Sequence, residues 1–264
     1  MKRLEALFSH KKQRVLNVYC TAGYPKLNDT LPLMHSLQQH GADIIELGMP
    51  YSDPIADGPT IQNSNMVAIE NGMTIATLFD QLKSLRTGQT NATTALTIPV
   101  ILMGYMNPVL QYGFENFCAQ AAAVGVDGLI LPDLPEYEFE TIYGAIIKKY
   151  GLDFIFLVTP ETAVERIKKL DELSTGFLYA VSSSSTTGSN TGTMGDVAAY
   201  LEKLHALNLK NPILVGFGIK DKQSFETACA HAQGAIIGSA YIKALENSSD
   251  VDAATKAFLD GILG

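Results

Sequence analysis

Eight short apolar runs, most of them closing on Gly, Pro, Asp or Ser, recur along the whole chain at 15–23, 43–50, 98–106, 128–134, 154–160, 177–183, 213–219 and 235–242. Most are continuously apolar rather than alternating, as in Leu129-Ile130-Leu131 and Ile213-Leu214-Val215. A strand of a parallel sheet covered on both faces reads this way. Between the runs lie segments of helical periodicity at 27–39, 114–124, 137–150, 163–173, 194–207 and 224–232, with a last one over Val251–Leu263. The long second connection carries two more, at 60–70 and 75–85. Thr162, three residues before Glu165, suggests a capping box, and Gly41, Gly125 and Gly151 follow their helices as C-terminal signals. Gly144 interrupts the 137–150 segment and weakens its helix propensity.

Strand and helix alternating eight times over 264 residues predict an α/β chain folded as a (β/α)8 TIM barrel. A doubly wound open sheet would carry GxGxxG in its first strand–helix turn, and here that turn reads Thr21-Ala22-Gly23-Tyr24-Pro25. No linker rich in Pro, Gly or Ser divides the chain, so 1–264 is expected to form a single domain, with an extra amphipathic helix at its N-terminus.

Composition narrows the function classes. The formal charge of −8, from 27 acidic and 19 basic residues, comes without the basic stripe of a nucleic-acid surface. Cys20, Cys118 and Cys229 show no CxxC spacing and are expected as reduced thiols in a cytoplasmic protein, Cys20 as a core residue. The five histidines fall in no metal-ligand pattern. No run approaches the ~18 apolar residues of a membrane span, and Lys11, Lys12 and Arg14 come too early for a signal peptide.

In such a barrel the chemistry gathers at the C-terminal ends of the strands. Glu46 lies inside the second run, where an unpaired carboxylate is costly and its pKa rises. A buried ion pair is the structural alternative, yet no run places a basic residue in its interior. The stiff loop that follows, Tyr51 to Pro59, carries Asp53 and Asp57. They serve either as turn formers or, for one of them, as the second member of a carboxylate pair with a separate role. The sixth run opens into a polar loop of small residues, 183–192, readable as a lid or as flexible surface. Gly216 and Gly218 end the seventh run, and Gly238 and Ser239 interrupt the eighth. Glycines at these two strand ends let backbone N–H groups approach a phosphate, which points to a phosphorylated small molecule.

Taken together, the run ELGMPYSDPIADGPTIQ (46–62), with TAGYP (21–25), MGYMNP (103–108), PDLP (132–135), TTG (186–188), GFGI (216–219) and IIGSA (236–240), resembles the tryptophan synthase alpha subunit family. The motifs span almost the whole chain in order. The resemblance implies reversible retro-aldol cleavage of indole-3-glycerol phosphate to indole and glyceraldehyde 3-phosphate. It implies Glu46 as the catalytic acid and base and Asp57 as partner of the indole nitrogen. Tyr19, Tyr105 and Tyr179 match positions around the indole, and Asp133 a neighbouring strand end. Thr187 and Gly188 match the closing loop, and Gly188, Gly218, Gly238 and Ser239 the phosphate cradle. No cofactor is implied in this chain. The implied partner is a beta subunit carrying pyridoxal phosphate, in an α2β2 assembly, with Asp53, Asn107 and Pro135 on the facing end of the barrel. Two positions depart from the usual pattern. A Ser-rich stretch precedes Thr187, and Tyr19 stands where a Phe is common, adding a hydroxyl that must find a partner. A Schiff-base aldolase would need a Lys inside a strand, whereas Lys148, Lys149, Lys168 and Lys169 fall on predicted helices. An activating scaffold without chemistry, or a stand-alone indole-releasing lyase, are the other readings.

Overall fold

The computed structural model describes residues 1–87, 95–181, 194–216 and 218–264. Nine parallel strand segments form one sheet: β1 (Val15–Thr21), β2 (Ile44–Gly48), β3 (Val100–Met103), β4 (Gly128–Ile130), β5 (Asp153–Phe154), β6 (Leu157–Val158), β7 (Leu178–Ala180), β8 (Ile213–Val215) and β9 (Gly234–Ile237). Their order is β5-β4-β3-β2-β1-β9-β8-β7-β6, so β1 and β9 pair and the two ends of this order are consecutive in the chain.

The expected fifth strand is therefore split rather than missing. Its first half pairs with β4 (Gly128↔Asp153) and its second half with β7 (Leu157↔Tyr179). The cause is local. The β7 ladder starts only at Leu178, and the donors that would face it earlier are taken by side chains: Phe154 N by Thr175 Oγ1 at 2.9 Å and Phe156 N by Ser174 Oγ at 3.1 Å. Counted as one bent stave, β5 and β6 close the ring into an eight-membered (β/α)8 barrel.

Two layers of apolar contact follow from strand parity, since successive side chains point to opposite faces. Inside the barrel Val15, Ile44, Ile101, Ile130, Ile155, Phe177, Leu214 and Ile236 pack together. The outward residues, such as Leu16, Val18, Ile45, Leu102 and Leu129, pack against the helices. The N-terminal helix Arg3–His10 closes the bottom of the interior, inserting buried Leu4 and Phe8, and the Phe8 ring lies 6.3 Å from that of Phe177. Ion pairs to the lower strand ends fix its place: Lys2 to Asp153 at 2.8 Å and Arg3 to Asp127 at 2.9 Å.

Several helices differ from what the sequence patterns predict. The helix Pro59–Glu70 is the one expected at 60–70, whereas Met106–Tyr112 is not among the expected helices; Pro59 and Pro108 sit in their first turns, where backbone N–H groups need no intrahelical acceptor. The start of the latter helix coincides with the end of the third apolar run. The eighth run likewise divides into β9 and the helix Ser239–Leu245, a boundary that continuous apolarity conceals. The 137–150 segment contains a π-turn, Phe139–Tyr143, directly before Gly144, where a Cβ would meet the Phe139 carbonyl oxygen at 2.7 Å. Thr162 caps no helix. The N-cap is Ala163, and Thr162 Oγ1 instead accepts from Thr159 N at 2.9 Å, closing the turn before the helix. Among the described residues no helix is long and apolar enough to cross a membrane, and no cluster of His, Cys, Asp and Glu could hold a metal. The three cysteines are free and buried, and burial pushes the Cys20 thiol up to about 12.

Candidate active site

On β2 the interior positions are Ile44, Glu46 and Gly48, so Glu46 points into the barrel one step above the apolar layer. Its cross-strand neighbours are Tyr19 on β1 and Ile101 on β3. Glu46 is only 1% exposed, and no basic residue meets it among the described residues; its side-chain partner is Asn17 Nδ2, donating to Oε2 at 3.0 Å. The ion-pair alternative therefore does not apply. Burial pushes the Glu46 carboxyl up to about 8, the Asn17 bond opposes this, and the charge of Asp57 adds to it.

Asp57 reaches the same rim from the loop after β2. Its N–H donates to Pro54 O at 3.1 Å, and its carbonyl accepts from Gln62 Nε2 at 2.8 Å, which ties the loop to the next helix. Its carboxylate accepts from Tyr105 OH at 2.9 Å, while that hydroxyl accepts from Ala56 N at 3.1 Å. Tyr105 thus holds both the loop backbone and the acid. Burial raises the Asp57 carboxyl to about 6, less than Glu46, and the Tyr105 bond counteracts part of it. The two carboxyls are close in charge terms but unequal in environment.

Tyr19 and Tyr179 complete the rim. Tyr179, the interior residue of β7, is 6% exposed and its ring lies across Gly216, where any Cβ would overlap it. Burial, then Glu46 and Asp57, raise its phenol further. The added hydroxyl of Tyr19 is satisfied: Thr21 Oγ1 donates to it at 3.3 Å and lies 2.7 Å from Ser64 Oγ. Gly48 leaves room for that phenol, since a Cβ there would collide with it.

Gly218 and the pair Gly238–Ser239 follow the adjacent strands β8 and β9. Gly218 has φ +71° with open space on its Cβ side, and a Cβ on Gly238 would lie 3.5 Å from Tyr19 Cβ. Thr187 and Gly188 lie outside the described residues, as does the 183–192 loop. Asp133 caps the turn after β3, both carboxylate oxygens accepting from Met106 N at 3.0 Å. Around it, Asn107 Nδ2 donates to Tyr51 OH at 3.2 Å, and Ser52 Oγ to Asp53 Oδ2 at 2.5 Å.

Residues 6–259 match the family model described as tryptophan synthase alpha chain. The chain belongs to the tryptophan synthase alpha chain family. It is 51% identical to the tryptophan synthase alpha chain of Flavobacterium johnsoniae over 89% of this chain and 90% of that one. It is 45% identical to that of Parabacteroides distasonis over 99% of each. Among solved structures, the tryptophan synthase subunit alpha of Legionella pneumophila superimposes with a TM-score of 0.87 at 34% identity, covering 99% of this chain and 97% of that one. The A-subunit from Pyrococcus furiosus gives 0.85 at 32% identity, covering 96% and 99%. Membership makes the chain an enzyme of the lyase class.

Sequence reasoning overlooked Asn17. The signal was the same as for Glu46, a polar residue inside a continuous apolar run. Asn17 also stands two residues before Tyr19 and so shares its face.

Proposed function

We propose that residues 1–264 act as one catalytic unit that cleaves indole-3-glycerol phosphate reversibly to indole and glyceraldehyde 3-phosphate, and that the indole passes to a beta subunit making tryptophan. The observation that carries this reading is the pair of buried carboxyls on one rim, Glu46 raised to about 8 and Asp57 to about 6. At neutral pH such a pair holds a proton on Glu46 and a charge on Asp57. Two acids held apart in this way take different roles.

Protonated Glu46 gives its proton to C3 of the indole ring. Positive charge then develops toward the ring nitrogen, whose N–H the Asp57 carboxylate accepts. Ionised Glu46 next removes the proton of the glyceryl hydroxyl. The carbon–carbon bond breaks, its electron pair returns to the ring, and indole and an aldehyde result, with Glu46 protonated again. Tyr19, Tyr105 and Tyr179 would flank the ring, and Gly218, Gly238 and Ser239 would offer backbone N–H groups to the phosphate. Thr187 and Gly188 would close over it, with Gly188 completing the cradle.

The beta subunit, with its pyridoxal phosphate, would meet the same end of the barrel in an α2β2 assembly. In keeping with this, exposed Ile55, Leu110 and Tyr137 follow closely on Asp53, Asn107 and Pro135, in the loop after β2 and in the first helices after β3 and β4. The free thiols suit a reducing, cytoplasmic compartment.

The test is indole release from indole-3-glycerol phosphate, with and without a pyridoxal-phosphate beta subunit, for the wild type and Glu46→Gln. The variant is expected to lose at least about 10²-fold in kcat, the scale of general acid–base catalysis, while retaining phosphate binding. Wild-type turnover in the variant would remove Glu46 from the mechanism. Indole formation that rises only with the partner marks a coupled synthase, and full activity alone a free lyase.

A further inference from the structure

The Glu46 carboxyl has to be a proton donor in one step and an acceptor in the next, while being 1% exposed above an apolar layer. A buried carboxyl in that position needs a neighbour that tolerates both states. The residue beneath it on β1 is Asn17, 0% exposed, and its geometry is one-sided as it stands. Nδ2 donates to Glu46 Oε2 at 3.0 Å, while Oδ1 is buried with no hydrogen-bond partner among the described residues. A buried amide oxygen left unpaired costs free energy. An Asn amide carries a donor and an acceptor on one planar group, interchanged by a half-turn of the side chain.

Resting on the reading of Glu46 as acid and base, we infer that Asn17 is a positioning residue that serves both protonation states of Glu46, donating Nδ2–H to the carboxylate and accepting the carboxylic O–H at Oδ1 after a half-turn. Each state of the acid then has a partner, and the carboxyl keeps its aim at the substrate as the proton leaves and returns. The unpaired Oδ1 is the acceptor that the protonated acid requires. Its strand neighbours in the interior layer are apolar: Val15 on β1, and its register partners Ile44 on β2 and Ile236 on β9. The titratable groups that bear on Glu46 are Asp57 from the loop after β2, Tyr19 and Cys20 from β1, and Tyr179 from β7. Neither β3 nor β9 carries a titratable residue. Asn17 is therefore the neutral group through which the acid is both held and tuned.

The test follows the Glu46 carboxyl itself by infrared difference spectroscopy between about pH 5 and 10, a window spanning both carboxyl titrations, with Glu46→Gln subtracted to identify its band. Asn17→Leu removes donor and acceptor at similar volume. Asn17→Asp keeps the shape but replaces the donor by a second acid. In both, the carboxyl titration and the alkaline limb of kcat/KM are expected to move together to higher pH by about one unit, the surplus of the bond to the carboxylate over the bond to the neutral acid. The loss is expected in kcat, with KM nearly unchanged. In the unmutated protein, the Asn17 side-chain amide resonances should shift with the same midpoint as Glu46 and stay flat in Glu46→Gln, a readout that does not depend on either Asn17 variant folding. A carboxyl midpoint unmoved by both folded variants, or amide resonances indifferent to Glu46, would overturn the inference. Failure of the acid–base reading has a different signature: full turnover in Glu46→Gln, whatever Asn17 does.

Discussion

Eleven positions apart in sequence, Glu46 and Asp57 reach one rim by different routes, one as an interior strand residue and the other on a tethered loop. Burial acts on both, but Asp57 keeps a phenol as donor and more of its ordinary acidity. If chemistry needs a protonated Glu46 and an ionised Asp57, kcat/KM follows a bell in pH. It falls below about 6 as Asp57 takes up a proton and above about 8 as Glu46 loses one. The alkaline limb carries the imprint of the neighbour, because the Asp57 charge helps to raise Glu46. Tyr105→Phe deletes a hydrogen bond to the ionised form of Asp57, so the Asp57 pKa should rise. The acid limb is then expected to shift upward by about one unit, leaving the alkaline limb in place, as a kcat/KM profile would reveal. An unmoved acid limb would assign it to another group. Residue type and position alone made Glu46 legible, since an acid inside an apolar run asks for a reason, and the stiff loop beside it drew Asp57 in. Asn17 escaped because an amide carries no charge to draw attention.

At the level of elements, the glycines at strand ends serve close approach as much as ligand binding. Gly216, which the sequence marks only as part of a phosphate turn, is the floor for the Tyr179 ring. Gly216→Ala is expected to push that ring out of place. Overpacking of this kind costs about 1–3 kcal/mol, measurable by urea unfolding, together with a raised KM for indole-3-glycerol phosphate. Wild-type stability and KM would mean the ring can move aside freely. The helices Met106–Tyr112 and Ser239–Leu245 were hidden for two physical reasons. A proline near a helix start resembles a turn, and a helix beginning directly after a buried strand extends one apolar run. The split stave β5–β6 was equally hidden, because Ser174 and Thr175 take the place of ladder partners from a distant part of the chain.

Across the whole molecule the barrel has two ends with opposite tasks. The lower end is closed by the N-terminal helix, whose Leu4 is fully buried and packs so closely that a Cβ on Gly176 would lie 2.8 Å from Leu4 Cδ1. The upper end holds the acids. Leu4→Ala is expected to cost about 2–5 kcal/mol in unfolding free energy with kcat/KM nearly unchanged, a separation that chemical denaturation and steady-state kinetics can check side by side. A comparable fall in both would mean that the plug supports the upper rim. By itself the sequence determined the alternation of strands and helices, hence the barrel, because continuous apolar runs and helical periodicity are local patterns. It also marked Glu46 and the loop of Asp57 as chemical. Only the tertiary structure decided what each group faces: Asn17 under Glu46, Tyr105 on Asp57, Gly216 under Tyr179 and the helix plug beneath them. Those relations join residues far apart in the chain, and the burial that sets their pKa values exists only once the ring of strands is closed.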